Sequence, residues 1–297
     1  MHGVQIAPRT YWAHCLAAPS KRALWEATIT EILTGLYEPD SNGKRPPESL
    51  YGSLKVWAYL QREGIPVARC TVERIMRAHG WRGVTRARRT PRTTEPDPTA
   101  SRPPDLVGRR WRVAAPNRLL VADFTYVPLD GGRFDYNAFV IDAFAGLITG
   151  WECSLCKDTG FVERALRHAA AFRARQGRPL HDAIHHSDAG SQYTAIHFTE
   201  TVILAGLKPS VGTVGDALDN GLAETTIGLY KTECVREGSP FRSGPIGTLA
   251  DLEDITCAWV NWYNSTRLMH RLGRRLPTEA EAEYYARVHV SDHAGHR

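Results

Sequence analysis

Asp123, Asp188 and Glu224 are the residues whose types and spacing could do chemistry in this chain. Asp123 lies within the strand-like run Leu119–Val127. Asp188 follows Asp182-Ala183-Ile184-His185-His186-Ser187, where an apolar stretch turns polar, as a strand running into a loop does. Glu224 comes 35 intervening residues later, in a segment of helical periodicity. Brought together, three such acids offer hard oxygen donors of the kind Mg²⁺ prefers. Two Mg²⁺ ions about 3.5–4 Å apart can activate a water and stabilise the leaving oxygen of a phosphodiester. A lone Asp is more often a surface charge or a cap, and Asp219 reads as the cap of the helix that carries Glu224. What lifts the trio above that reading is its placement on a strand, a loop and a helix.

The elements that position the acids follow from periodicity. Leu119–Val127 predicts a first strand, Asp130-Gly131-Gly132 a hairpin turn, Phe134–Phe144 a second strand and Leu147–Ser154 a third. A helix over Thr159–Gln176 follows, with Phe161, Ala165, Ala169 and Phe172 on one face. Next come a strand at Ala183–His186, a helix at Ala195–Ala205 and a short strand at Leu207–Ser210. Hairpin strands followed by alternating helices and strands indicate a mixed α/β sheet with helices on both faces. On the Glu224 helix, Leu218, Leu222 and Leu229 suggest the apolar side. Glu224, Gly228 and Lys231 fall opposite, so a carboxylate and an amine share a face across a glycine. A helix over Thr248–Tyr263 and a short helix with a frayed, His-bearing tail complete the chain.

Upstream, Ser20 is placed to cap a helix whose Trp25, Ile29, Ile32 and Leu36 form one face. Leu50–Glu63 and Ala68–His79 read as two further helices that stop at Gly64 and Gly80. Val72, Ile75 and Met76 face a core in this reading, and Arg69, Glu73, Arg74 and Arg77 face out. Helix, glycine turn and basic helix is the pattern of a helix-turn-helix DNA-binding unit; a small helical bundle with a charged face is the competing reading. Residues 82–112 hold nine arginines, among them Arg86, Arg88 and Arg89, and five prolines. So polar a segment cannot fold alone, and it is expected to form an extended linker that tracks a phosphate backbone. Residues 1–112 carry 19 Lys+Arg against 10 Asp+Glu, leaving 18 against 22 for the remainder. That asymmetry points to a polyanion-binding front half.

The remaining features exclude classes. At 297 residues the chain has room for one large and one small domain. No apolar run approaches the ~20 residues of a membrane span and no signal-peptide core is evident, so a cytoplasmic protein is expected, nucleoid-associated when on DNA. The six cysteines have no framework spacing. Cys153-Ser-Leu-Cys156 lacks a second pair at ligand distance and reads as strand cysteines. His185 and His186 read as structural neighbours of Asp188. No P-loop or GxGxxG pattern supports a nucleotide cofactor.

The strings VADFTYV, HHSDAGSQYT, SVGTVGDALDNGLAETTIGLYKTE and WVNWYNSTRLMHRLG together resemble the integrase-core transposases of bacterial insertion sequences, nearest the second-frame product of the IS-three family. Residues 20–83 resemble that family's helix-turn-helix region. The resemblance implies a ribonuclease H-like catalytic core, a mixed five-stranded sheet flanked by helices, preceded by a small all-α helix-turn-helix domain. The implied domains are 1–83, a basic Pro/Arg-rich linker at 84–112, the integrase core at 113–275 and a C-terminal helix and tail at 276–297. It implies that Asp123, Asp188 and Glu224 are the catalytic metal ligands for two Mg²⁺ ions, with Mn²⁺ able to substitute. Lys231, seven beyond the Glu, would contact DNA near the transferred end. The other DNA-contact candidates are Arg69, Arg74, Arg77, Arg86, Arg88 and Arg89. Expected partners are the element's terminal inverted repeats, target DNA, further copies of this chain on DNA, and the first-frame product or a fusion with it. A catalytically silent DNA-binding derivative and a non-transposing ribonuclease H-like nuclease are the alternatives. The chain departs from many relatives at Leu120, where they have Trp, and at Ala145-Gly146, where Ser-Arg is commoner.

Overall fold

The structure is a computed structural model that describes residues 7–85, 103–108, 110–188, 191–212 and 220–294. The chain divides after Gly83 into two compact units.

The first unit is helical: α1 (Pro8–Leu16), α2 (Lys21–Tyr37), a 3₁₀ turn at Pro47–Leu50, α3 (Ser53–Arg62) and α4 (Arg69–Ala78). Ser20 caps α2, its hydroxyl accepting from the Ala23 N–H at 3.1 Å. The buried face of α2 is Ile29, Leu33, Leu36 and Tyr37, rotated from the expected stripe so that Trp25 is exposed. Tyr37 explains the rotation: its hydroxyl donates to the Tyr51 carbonyl and its ring stacks on Trp81. The expected single helix from Leu50 is split at Tyr51-Gly52. A Cβ on Gly83 would come within 2.3 Å of the Gly52 nitrogen, so two backbones meet there and the helix begins only at Ser53. Gly64 and Gly80 adopt positive φ just beyond α3 and α4, a conformation glycine takes without penalty. Val72, Ile75 and Met76 are buried, as their spacing predicts. Helix α1 was not anticipated.

The second unit is built on five strands: β1 (Leu119–Pro128), β2 (Phe134–Asp142), β3 (Leu147–Ser154), β4 (Ile184–Ser187) and β5 (Lys208–Val211), in the order β3-β2-β1-β4-β5. The first three form an antiparallel meander, and β4 and β5 run parallel to β1. One face is covered by α5 (Thr159–Arg175) and α7 (Ile196–Leu204), which bury Phe161, Ala165, Ala169, Phe198 and Val202 against Leu120, Ala122, Ala138 and Val140. Leu120, the position where many relatives have Trp, is thus in the centre of this layer. Gly150 lets α5 close on β3: a Cβ there would lie 2.2 Å from the Ala165 carbonyl oxygen. The other face receives α8 (Gly221–Tyr230) and α9 (Leu249–Ser265), with Phe139 against Tyr230 and Trp259.

Three expectations change. The C-terminal segment is one long helix, α10 (Pro277–Ala294), because buried Arg173 bonds Glu281 and Asp142 together, and Arg178 stacks 3.5 Å over the Tyr285 ring. Residues 105–108 and Trp111 are part of the second unit rather than a free tether. The Leu106 N–H donates to Ser210 Oγ, Val107 is buried, and Trp111 packs edge-on against His186. Finally, the Gly146 departure has a neighbour of its own: its positive φ forms the β2–β3 turn, and Arg271 fills the space a side chain would take.

Candidate active site

The geometry starts at the β1–β4 ladder. The two strands are parallel, and the last paired residues are Ala122 and Ser187. The next residue on each strand is an acid, Asp123 on β1 and Asp188 just past the end of β4. Parallel strands about 4.8 Å apart therefore present the two acids side by side. The Arg118 carbonyl accepts from Ile184 on the β4 side, and the two-residue period turns the Ala122 carbonyl the same way. That carbonyl also takes a hydrogen bond from the side chain of Asn220, Nδ2 to oxygen 3.0 Å. Asn220 is the residue immediately before α8 and is buried. It hooks the start of α8 to β1 one residue from Asp123, and Glu224 follows in the first turn of that helix. A helix N-terminus favours negative charge, so the position suits a carboxylate.

The three acids share an electrostatic site with Asp123 as its hub. The Asp123 carboxyl is pushed well above the usual range, first by burial and then by the charges of Asp188 and Glu224. The Phe124 N–H, 2.7 Å from Asp123 Oδ1, and Lys231 oppose that shift. Among the described residues no three His, Cys, Asp or Glu side chains are already gathered into a cage. The donor set nonetheless fits a hard divalent cation. It consists of oxygens, and its central member carries a charge that burial and two neighbouring carboxylates penalise. Mg²⁺ keeps several of its waters, so its protein ligands need not converge closely.

Lys231 lies where the helix periodicity puts it, though on a different surface from the one expected. The buried face of α8 is Ala223, Thr226, Ile227 and Tyr230. At 100° per residue Glu224 and Lys231 lie on one flank of that face, and Leu222 and Leu229, only half-buried, lie on the other. The leucines are not the core stripe, because the helix seats small and aromatic side chains against Phe139 instead. Leu218 and the cap candidate Asp219 fall outside the described residues. Lys231 opens a π turn, Lys231–Val235, and its ammonium is 4.5 Å from the centre of the Tyr126 ring. Burial lowers its pKa while Asp123 pulls it back up. The turn is fixed from beneath. Glu233 is buried and accepts from Arg267 Nε at 2.9 Å, from its Nη2 and from Trp259 Nε1. π turns of this kind often occur at functional sites.

The remaining candidates are placed as follows. Arg69, Arg74 and Arg77 are on the exposed side of α4. Arg69 pairs with Glu73 at 2.7 Å and Arg74 with Glu26 at 2.5 Å. Arg86, Arg88 and Arg89 lie outside the described residues. His185 points into the α5/α7 layer against Phe198, and burial lowers its pKa to about 4. His186 Nδ1 is 2.8 Å from Ser210 Oγ, on the side covered by Trp111. Cys153 is buried in β3 against Thr256 and Cys156 is exposed beyond the strand. Sequence reasoning missed Asn220, Tyr126, Tyr193 and the Glu233–Arg267 pair. All of them lie within the strings that carry the family resemblance, but those strings assigned them no role.

Comparison with known proteins bears on this arrangement. The Integrase core domain family matches residues 113–217, a second Integrase core domain family matches 205–277, and an HTH-like domain matches 28–89. The putative transposase for insertion sequence element IS986/IS6110 of Mycobacterium tuberculosis is 46% identical over 282 residues, covering 95% of this chain and 96% of its own. The chain belongs to the insertion-sequence transposases. A second relative of this transposase, that of element IS629 from Shigella sonnei, is 40% identical over 97% of this chain and 92% of its own. Among solved structures, a simian T-cell lymphotropic virus intasome matches 80% of the transposase and 74% of that chain, at 16% identity and a TM-score of 0.47. The transposase is thus an integrase core of ribonuclease H-like topology preceded by a helix-turn-helix unit, a DNA-acting protein of the IS-three type. No helix among the described residues is long and apolar enough to cross a membrane.

Proposed function

We propose that this transposase cuts the ends of its element and joins the freed 3′-OH to target DNA at a single metal site formed by Asp123, Asp188 and Glu224. The observation that carries the reading is the β1–β4 register, which ends on two adjacent acids with the Glu224 helix hooked beside them. Bound there, two Mg²⁺ ions, or Mn²⁺ in their place, would supply Lewis-acid polarisation of the scissile phosphate and an activated oxygen nucleophile. Asp123, held by the Phe124 N–H, is the fixed ligand of the set. Asp188 and Glu224 complete it from a loop and a helix. Lys231, braced on Tyr126 and on the Glu233–Arg267 turn, holds a phosphate of the end being processed. The same three acids serve the hydrolytic cut and the strand-joining step, because water and a 3′-OH are equivalent oxygen nucleophiles. No covalent bond between protein and DNA is needed.

The α4 arginines Arg69, Arg74 and Arg77 contact the element ends. The surface ion pairs of Arg69 and Arg74 contribute little, so phosphates can replace them. Arg86, Arg88 and Arg89 extend that track. Two ends have to meet in one event, so the working unit is an oligomer on DNA, with the first-frame product or a fusion to it as a further partner. Purified protein with Mg²⁺ and labelled inverted-repeat ends tests the reading. Glu224→Gln should bind the ends and fail to cut them; cutting at the wild-type rate would remove Glu224 from the site.

A further inference from the structure

We propose that Tyr193 is a positioning residue whose phenol donates a hydrogen bond to the Asp188 carboxylate and sets its orientation as it takes up a metal ion. The inference rests on the metal-site reading above.

Tyr193 lies in the short helix α6 (Ser191–Thr194), five residues beyond Asp188. Its ring packs in the α5/α7 layer against Phe124, Phe198 and His185. The side chain is 2% exposed, and its hydroxyl has no hydrogen-bond partner among the described residues. The nearby charges acting on it are those of Asp123 and Asp188. The ring therefore lies on the side of the sheet opposite α8, where the charges of both acids are felt.

A buried hydroxyl without a partner is a cost that phenylalanine would avoid, and every other contact of this ring is one a phenylalanine makes equally well. A neutral phenol is a donor and an ionised carboxylate is an acceptor. Of the two acids whose charges act on the phenol, Asp123 already takes the Phe124 N–H on one oxygen and is fixed in mid-strand. Asp188 is carried beyond the strand end, so its direction depends on side-chain partners. Groups that orient metal ligands in this way typically change metal affinity by 10–100-fold when removed.

Tyr193→Phe in the full chain tests the proposal through two readouts. The first is the melting temperature without metal and its rise on titration with Mn²⁺ alone. The second is cutting of labelled ends across the same Mn²⁺ series. Without metal the variant should melt at or above the wild-type temperature. Its half-saturating Mn²⁺ should rise by about tenfold in both readouts, with cutting largely recovered at saturation. A variant that titrates like wild type overturns the proposal and leaves the metal site standing. So does a variant that melts lower without metal, since the hydroxyl would then be bonded within the fold. A wild-type protein with no Mn²⁺ response, matched by Asp123→Asn, overturns the metal reading and this inference with it.

Discussion

Asn220→Ala separates positioning from folding at the candidate site. Among the described residues the wild-type side chain makes one buried hydrogen bond, to the Ala122 carbonyl, and leaves its own Oδ1 without a partner. Removing the donor deletes one buried hydrogen bond to the Ala122 carbonyl, a net contribution of about 0.5–1.5 kcal/mol. Removing the unpartnered Oδ1 returns part of that, since it was itself a desolvated acceptor. The net loss should be no more than about 1 kcal/mol, or about 2–4 °C in melting temperature for a unit of this size. The effect on activity should be far larger. The hook fixes the first turn of α8, four residues before Glu224 and one strand position from Asp123, and a misplacement of about 1 Å in a catalytic group can cost ~100-fold. The assays are thermal melting and single-turnover cutting of labelled ends. A variant that melts a few degrees lower and cuts at the wild-type rate would refute the hook, and so would a fall in cutting no larger than the loss of folded protein.

Two other perturbations report on the surroundings. Arg267→Met leaves the buried Glu233 charge without its bidentate partner and should destabilise the protein by about 3–5 kcal/mol, while adding Glu233→Leu should recover most of that; denaturant midpoints read both. His185 gives a pH dependence. Its pKa falls from 6.5 in the unfolded chain to about 4 in the fold, so the stability tied to its neutral form is complete above pH 6.5 and is lost as pH falls toward 4, by about 3 kcal/mol in all. His185→Phe should flatten that part of the melting-temperature profile; an unchanged acid limb would place the titrating group elsewhere.

The three acids were legible because each depends on local pattern. Alternation marks β1, the apolar-to-polar switch marks the end of β4, and helical spacing ties Glu224 to Lys231. What the pattern could not show is which surface of α8 is buried. That is decided by Phe139 and Trp259, brought against Tyr230 from distant parts of the chain. The same applies to residues 105–108 and Trp111. Their Pro- and Arg-rich surroundings read as a tether, yet Ser210, about a hundred residues on, anchors them. The tail after Arg275 looked frayed because its own sequence is polar, and α10 is ordered by Arg173 and Arg178 from the other end of the core. Asn220 and Tyr193 lie within the strings that carry the resemblance, yet nothing local assigned them a role, since an Asn before a helix and a Tyr after an Asp are each commonplace.

The charge balance of the site explains why its parts occur together. Asp123, Asp188 and Glu224 contribute three negative charges when ionised, and Lys231 returns one positive charge. Burial and the two neighbouring acids already hold the Asp123 carboxyl above its usual range. A DNA phosphate would add further negative charge in the same partly buried space, where screening by water is weak. Lys231 cannot offset that alone, because burial also works against its own charge. Divalent cations on the acids reverse the sign, so the carboxylates ionise and the phosphate gains ligands instead of repulsion. The proposed order is therefore metal before DNA. Asp123→Asn should lower the affinity for element ends less in metal-free buffer than in Mg²⁺, because the substitution removes a repulsive charge in the first case and a metal ligand in the second. Filter binding of labelled ends with and without Mg²⁺ measures the difference. Equal losses under both conditions would mean that Asp123 meets DNA by some route other than a metal.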